Sequence, residues 1–211
     1  MKIQVWTDFV CPFCYIGNEK LKRAIQAFEH HDQIEVEFKS YQLDPHARYE
    51  EGKTMAESLS ETKGMPQEQL KQMTEHLTTA AEEVNLTFRF DIAKNANTFD
   101  AHRLYQYAKS IGKGSSYTER VKKAYFTEGE VISDYNTLVK LAEEVGISKE
   151  DSLSVLQSTA YSDDVKGDIE QARQIGIQGV PFFIFNNRYA ISGSQPQELF
   201  AKTLETAWAE Q

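Results

Sequence analysis

The chain has 211 residues, with 23 Lys and Arg against 32 Asp and Glu, a formal net charge of −9 and a sequence pI of about 5.1. At 40% hydrophobic and 26% charged, with 11 Gly and 5 Pro, it has the composition of a globular chain able to bury a core. Its scattered basic residues argue against a phosphate-binding surface and hence against nucleic acid as a partner. No run approaches the ~20 apolar residues of a membrane span.

Residues 2–7 read as a short strand, followed at once by Cys11-Pro12-Phe13-Cys14. A helix is predicted from there to about His30, with Leu21, Ala24, Ile25 and Phe28 at helical spacing. Residues 33–39 alternate, with Ile34, Val36 and Phe38 on one face and Glu35, Glu37 and Lys39 on the other. That is the pattern of a half-exposed strand at a sheet edge. The first forty residues therefore make a βαβ unit.

Residues 43–64, with Pro45, Gly52 and Gly64, read as a connector. A long helical stretch follows. The first helix opens at Pro66, carries Leu70, Met73, Leu77, Ala81 and Val84, and ends at Asn85. Further helices are predicted over 97–111, 116–127 and 134–145, the last entered at Ser133-Asp134 and ended by Gly146. Ser148 with Asp151 forms a capping box for a short fifth. A sixth spans 162–175. Strand signals then return as Phe182-Phe183-Ile184-Phe185, the turn Asn186-Asn187, and Arg188-Tyr189-Ala190-Ile191. Ser194 is expected to cap a last helix that turns Leu199, Phe200, Leu204 and Trp208 inward. The fold class is thus α/β, in the order βαβ, an inserted all-helical bundle, then αββα. Residues 1–42 and 162–211 form the first domain and 43–161 the insertion.

The two cysteines of the chain sit three positions apart at the junction of strand and helix. Two cysteines in one motif make no disulfide framework, and the five His lack the spacing of a zinc site, so no metal is expected. Cys11 falls at the helix N-cap and Pro12 in the first turn, where its missing N–H costs nothing. The free N–H groups and the helix dipole are expected to lower the Cys11 pKa and make it the nucleophile. Cys14, one turn on and more buried, is placed to close a disulfide and release a bound substrate. Gly179-Val180-Pro181 precedes the strand Phe182–Phe185. A cis Val180–Pro181 bond would turn the Val180 backbone towards Cys11, where it could pair with an extended substrate.

Asp8-Phe9-Val10-Cys11-Pro12-Phe13-Cys14 and Gly179-Val180-Pro181-Phe182-Phe183 together resemble the DsbA family of the thioredoxin superfamily. Asn97-Thr98-Phe99-Asp100-Ala101-His102-Arg103-Leu104 and Ala124-Tyr125-Phe126-Thr127-Glu128-Gly129 resemble its FrnE-like subgroup. The match covers nearly the whole chain, and it implies a thioredoxin fold (βαβ … ββα) with an inserted all-helical domain. The resemblance implies a thiol–disulfide oxidoreductase in which Cys11 attacks, Cys14 resolves and Pro181 is the cis proline. Pro12, Phe13, Val180 and Pro181 are the expected substrate contacts. It implies no bound cofactor, with glutathione as a thiol co-substrate, and protein or small-molecule thiols and disulfides as partners. A monomer or a homodimer is expected. The start Met1-Lys2-Ile3-Gln4-Val5-Trp6 has no apolar signal core, so a cytoplasmic location away from any membrane is expected. The periplasmic members carry Pro-His between their cysteines, whereas this chain has Pro12-Phe13, so a strong oxidant is not expected.

Two other readings fit the same layout. One is a kappa-class glutathione transferase or 2-hydroxychromene-2-carboxylate isomerase, which typically carries serine at the Cys11 position. The other is a redox-inert binding module or chaperone. Weaker candidates for the site are Asp8, three residues before Cys11, together with Glu37, His102 and Arg103. Their plainer roles are a turn residue, a solvated edge position and a polar helix face. Trp6, Phe9 and Phe13 offer an apolar rim or core, with Phe13 the best rim candidate.

Overall fold

The computed structural model describes residues 1–210, and all their side chains except those of residues 62 and 63. The chain divides into two compact units, residues 1–43 with 166–211, and residues 44–165.

The first unit is built on a four-stranded sheet. Strands β1 (Lys2–Thr7), β2 (Glu35–Ser40), β3 (Phe182–Phe185) and β4 (Tyr189–Ser192) lie in the order β2-β1-β3-β4. β1 and β2 are parallel and joined through α1 (Pro12–Gln26), while β1–β3 and β3–β4 are antiparallel. Helix α1 is shorter than its periodicity suggests: the chain leaves it at Ala27, and a 3₁₀ turn over His31–Gln33 leads into β2. The β3–β4 turn has Asn186 and Asn187 at positive φ of 50° and 56°. Asn tolerates this conformation, and a tight hairpin needs it at both central positions.

Period-two alternation sends the two halves of β1 and β3 to different cores. Ile3 and Val5 lie beside Phe185 and Phe183 and are fully buried against Leu21 and Ala24 of α1. The same core takes Phe200, Leu204 and Ala207 from α9 (Gln197–Ala209). Phe183 and Phe200 meet edge to face with centroids 4.9 Å apart. On the opposite face Trp6 packs with Ala172 of α8 (Ser162–Gln174), Ile177, Val180 and Phe182. The N-cap of α9 is Pro196, so Ser194 does not cap it as expected from the sequence.

β2 does lie at the sheet edge, but its charged face is solvated only at Glu35. The Glu37 and Lys39 side chains are each only 15% exposed, and Lys39 pairs with Asp168 of α8 at 3.0 Å. Asp168 also accepts the Ser40 N–H, and its backbone carbonyl accepts the indole N–H of Trp6. Glu37 is held by Lys2 at 2.8 Å. Its place is therefore in an ion-pair network that seats α8 on the sheet.

The second unit is helical: α2 (Met55–Lys63), α3 (Gln67–Glu82), α4 (Phe99–Ser110), α5 (Gly114–Lys123), α6 (Tyr135–Glu144) and α7 (Lys149–Leu156). α2 lies inside the segment expected to be a connector. Its signal was present in Thr54-Met55-Ala56-Glu57: Thr54 and Glu57 form a reciprocal capping box. Asn85 at positive φ ends the α3 region, Asp134 caps α6, and Ser148 caps α7, as their residue types predict. Five residues after α5, Ala124–Glu128, form a π-helical turn. There the Phe126 carbonyl accepts the Arg89 N–H at 2.7 Å, and its ring stacks on Phe88. Among the described residues no helix is long and apolar enough to cross a membrane.

Candidate active site

The first unit brings the expected residues together at the amino end of α1. Cys11 is the N-cap, with extended dihedrals, and Pro12 opens the helix. The Cys11 carbonyl accepts the N–H groups of Cys14 at 3.1 Å and Tyr15 at 3.3 Å, which closes the first turn. Cys11 is 3% exposed and Cys14 is fully buried, and both are in the dithiol form.

The Val180–Pro181 bond is cis, as the sequence suggested. The Val180 carbonyl accepts a hydrogen bond from Cys11 Sγ at 3.5 Å. The Pro181 carbonyl accepts the Gly193 N–H at 2.8 Å, tying this segment to the turn after β4. The opposing wall is set by Gly17 of α1. A Cβ there would lie 3.2 Å from both Pro181 Cγ and Phe183 Cζ, so helix and proline loop approach as closely as they do because residue 17 has no side chain. Nothing in the spacing of the sequence marked this glycine.

Phe13, between the two cysteines in sequence, is 48% exposed. Trp6 and Phe9, the other rim candidates, are buried in the core. His102 and Arg103 do not form a polar helix face: both are buried within the helical unit. Arg103 donates to the Ala160 carbonyl at 2.9 Å, to that of Ser158 at 2.5 Å and to that of Val155, and pairs with Asp100 at 2.7 Å. It therefore ties α4 to the end of α7 and to the turn after it, a favourable place for a cation.

Asp8 is fully buried at the end of β1. Its backbone carbonyl accepts the Cys11 N–H at 3.3 Å, and its Oδ2 accepts the Leu43 N–H at 2.7 Å.

The electrostatics overturn one expectation. The Cys11 thiol is pushed well above the ordinary thiol range, first by its hydrogen bond with Cys14, then by burial and by the charge of Cys14. Asp8 adds to this, and only the Cys14 backbone N–H opposes it. A helix N-terminus is worth about 0.3–1 kcal/mol to an anion, up to ~2 in favourable sites. A sulfur sealed from water beside a second sulfur and a carboxylate meets larger opposing effects. The dithiol titrates as a pair, and the helix terminus does not make Cys11 acidic.

A four-stranded thioredoxin sheet, a dithiol at the head of the first helix and a cis proline facing it define the class of thioredoxin-fold proteins with a redox-capable cysteine pair. Residues 2–205 match the family described as the DSBA-like thioredoxin domain, and the chain belongs to that family. A crystal structure described as a probable DsbA oxidoreductase from Streptomyces coelicolor is 34% identical, with a TM-score of 0.94 over 100% of this chain and 91% of that one. The cytosolic disulfide reductase DsbM from Pseudomonas aeruginosa, solved with GSH, shares the fold at 16% identity and a TM-score of 0.70, over 99% and 100% of the two chains. A 2-hydroxychromene-2-carboxylate isomerase shares it equally, at 16% and 0.70, over 100% and 95%.

Proposed function

We propose that this chain is a dithiol–disulfide oxidoreductase that exchanges disulfides with protein or small-thiol substrates through Cys11 and Cys14. The observation that carries the reading is the placement of both sulfurs in the first turn of α1, with Cys11 Sγ against the Val180 carbonyl. Cys11, as thiolate, attacks one sulfur of a substrate disulfide. The substrate S–S bond breaks, the leaving thiolate takes up a proton, and a mixed disulfide forms on Cys11. Cys14 then gives up its proton and attacks the Cys11 sulfur. The second substrate thiol is released, and the chain is left oxidised by two electrons as a Cys11–Cys14 disulfide. Two equivalents of a small thiol such as glutathione would return it to the dithiol through a mixed disulfide and leave as their own disulfide. Val180 and Pro181 would hold the extended substrate, with Pro12 and Phe13 as the apolar rim. A cytoplasmic setting and a monomeric or homodimeric state complete the reading.

Phe13 offers no side-chain donor, and the surroundings of Cys11 disfavour its thiolate. A strong oxidant owes its potential to a stabilised reduced form. This site lacks that stabilisation and suits a reductant or an exchanger. The isomerase and transferase reading is the weaker one, because its proteins typically carry serine at the Cys11 position. Reduction of insulin disulfides tests the proposal: Cys11→Ser should abolish it, and Cys14→Ser should accumulate mixed disulfide. Glutathione conjugation that survives in Cys14→Ser would favour the transferase reading. Inactivity of the wild-type chain in every assay would favour a binding module.

A further inference from the structure

We propose that Asp8 is a tuning residue for Cys11: a carboxylate sealed from solvent one turn before the sulfur, which restrains how readily that sulfur becomes a nucleophile. The inference deepens the oxidoreductase reading and rests on it. Three observations carry it. Asp8 is 0% exposed, so its charge is not screened by water. Its position is locked at both ends, by the backbone bond from Cys11 to its carbonyl and by the 2.7 Å bond from the Leu43 N–H to Oδ2. Helix α1 has no acidic residue in its first turn, so its amino end sets no carboxylate of its own beside the dithiol.

Among the described residues, the charged and titratable groups that act on the Cys11 sulfur are Cys14, from α1, and Asp8, from the turn after β1. The segment Val180–Pro181 contributes a carbonyl only. Of the two groups, Cys14 is consumed in the reaction itself. Asp8 takes no part in the bond changes from dithiol to mixed disulfide to disulfide, which makes it the constant bias on the site. The plainer alternative is that Asp8 serves only to anchor Leu43.

Asp8→Asn separates the two roles, because it removes the charge and keeps an oxygen acceptor for the Leu43 N–H. The experiment follows alkylation of Cys11 by iodoacetamide against pH in a Cys14→Ser background, so that one thiol is read. If Asp8 tunes the sulfur, Asp8→Asn moves the midpoint down. For each unit of that move the thiolate population below the midpoint rises tenfold, while nucleophilicity falls about threefold (Brønsted slope about 0.4–0.5). The rate at neutral pH should therefore rise about threefold and the high-pH plateau should fall about threefold, so the two profiles cross. Asp8→Glu, which keeps the charge, should retain the original profile. Loosening of the fold would instead raise the rate at every pH, plateau included, and that result or an unchanged profile overturns the proposal. If neither Asn nor Ser at position 8 yields a folded chain, Asp8 is a fold determinant and the tuning role is rejected. Insulin reduction by the wild-type chain is measured in parallel. A shifted alkylation profile without turnover would leave Asp8 as a tuning residue and sink the oxidoreductase reading, and the reverse pattern would do the opposite.

Discussion

Replacing Gly17 with alanine sets two effects against each other at the wall of the dithiol site. Alanine in the interior of α1 gains about 0.8–1.0 kcal/mol in helix propensity over glycine. The new methyl would lie 3.2 Å from Pro181 Cγ and from Phe183 Cζ, and 3.6 Å from Ser194 Cα. Carbon atoms rest best at about 3.5–4.0 Å, so the first two neighbours must each retreat by a few tenths of an ångström. Phe183 cannot easily do so, because it is fully buried against Phe200. Overpacking of this kind costs about 1–3 kcal/mol. The net expectation is a loss of roughly 0–2 kcal/mol, at about 2–4 °C of melting temperature per kcal/mol for a chain of this size. The functional loss should be larger than that suggests. The displacement falls on Pro181, whose neighbour Val180 holds its carbonyl 3.5 Å from Cys11 Sγ. Misplacement by 1 Å can cost about a hundredfold in rate, so a shift of a few tenths should cost roughly 3–10-fold in kcat/KM for disulfide reduction. Thermal melts and insulin-reduction kinetics on the same preparations test this. A Gly17→Ala chain that melts higher than wild type and keeps full activity would show that the contact between helix and proline loop does not govern the site.

Equilibration with glutathione buffers should return a reduction potential well below the roughly −120 mV of a strong periplasmic oxidant. A value near that figure would mean that the Cys11 thiolate is stabilised after all. Because burial and its neighbours raise the Cys11 pKa in the folded dithiol, the folded state holds this proton more tightly than the unfolded chain. The stabilising contribution is full below the unfolded value of about 8.5 and is lost above it, by up to about 1.4 kcal/mol per pH unit. The melting temperature of the dithiol form should therefore fall relative to the disulfide form between about pH 8.5 and 10, and parallel curves would contradict the raised pKa. In the helical unit, Arg103→Ala removes the cation beside Asp100 and the side-chain donor to the carbonyls of Ser158 and Ala160. It should cost about 1–3 kcal/mol, the penalty of leaving buried acceptors unsatisfied, since Asp100 is 30% exposed and keeps water as a partner. Arg103→Lys should recover part of the loss, and amide exchange should quicken first in α7.

The positions of the strands and of most helices were legible because local chemistry decides them. Alternation places Phe183 and Phe185 on one face, Asp134 and Ser148 begin helices, and Asn85 ends one. The dithiol could be read for the same reason, since the spacing of Cys11 and Cys14 acquires meaning from the strand before it and the helix after it. Thr54 and Glu57 carried an equally local signal, but a connector rich in Gly and Pro around them concealed it.

What the sequence could not decide is what lies over each residue. Glu37 and Lys39 look solvated in their strand, yet α8 arrives from more than a hundred residues away and covers them with Asp168. Arg103 looks like a polar helix position until the end of α7 presents its carbonyls to it. Cys11 looks acidic at its helix cap until Cys14, Asp8 and burial are counted. A helix cap or a turn depends on a few neighbouring residues, so the sequence by itself determines it. Burial, and with it the charge state of a sulfur, depends on partners that only the folded chain brings within reach, so the tertiary structure decides it.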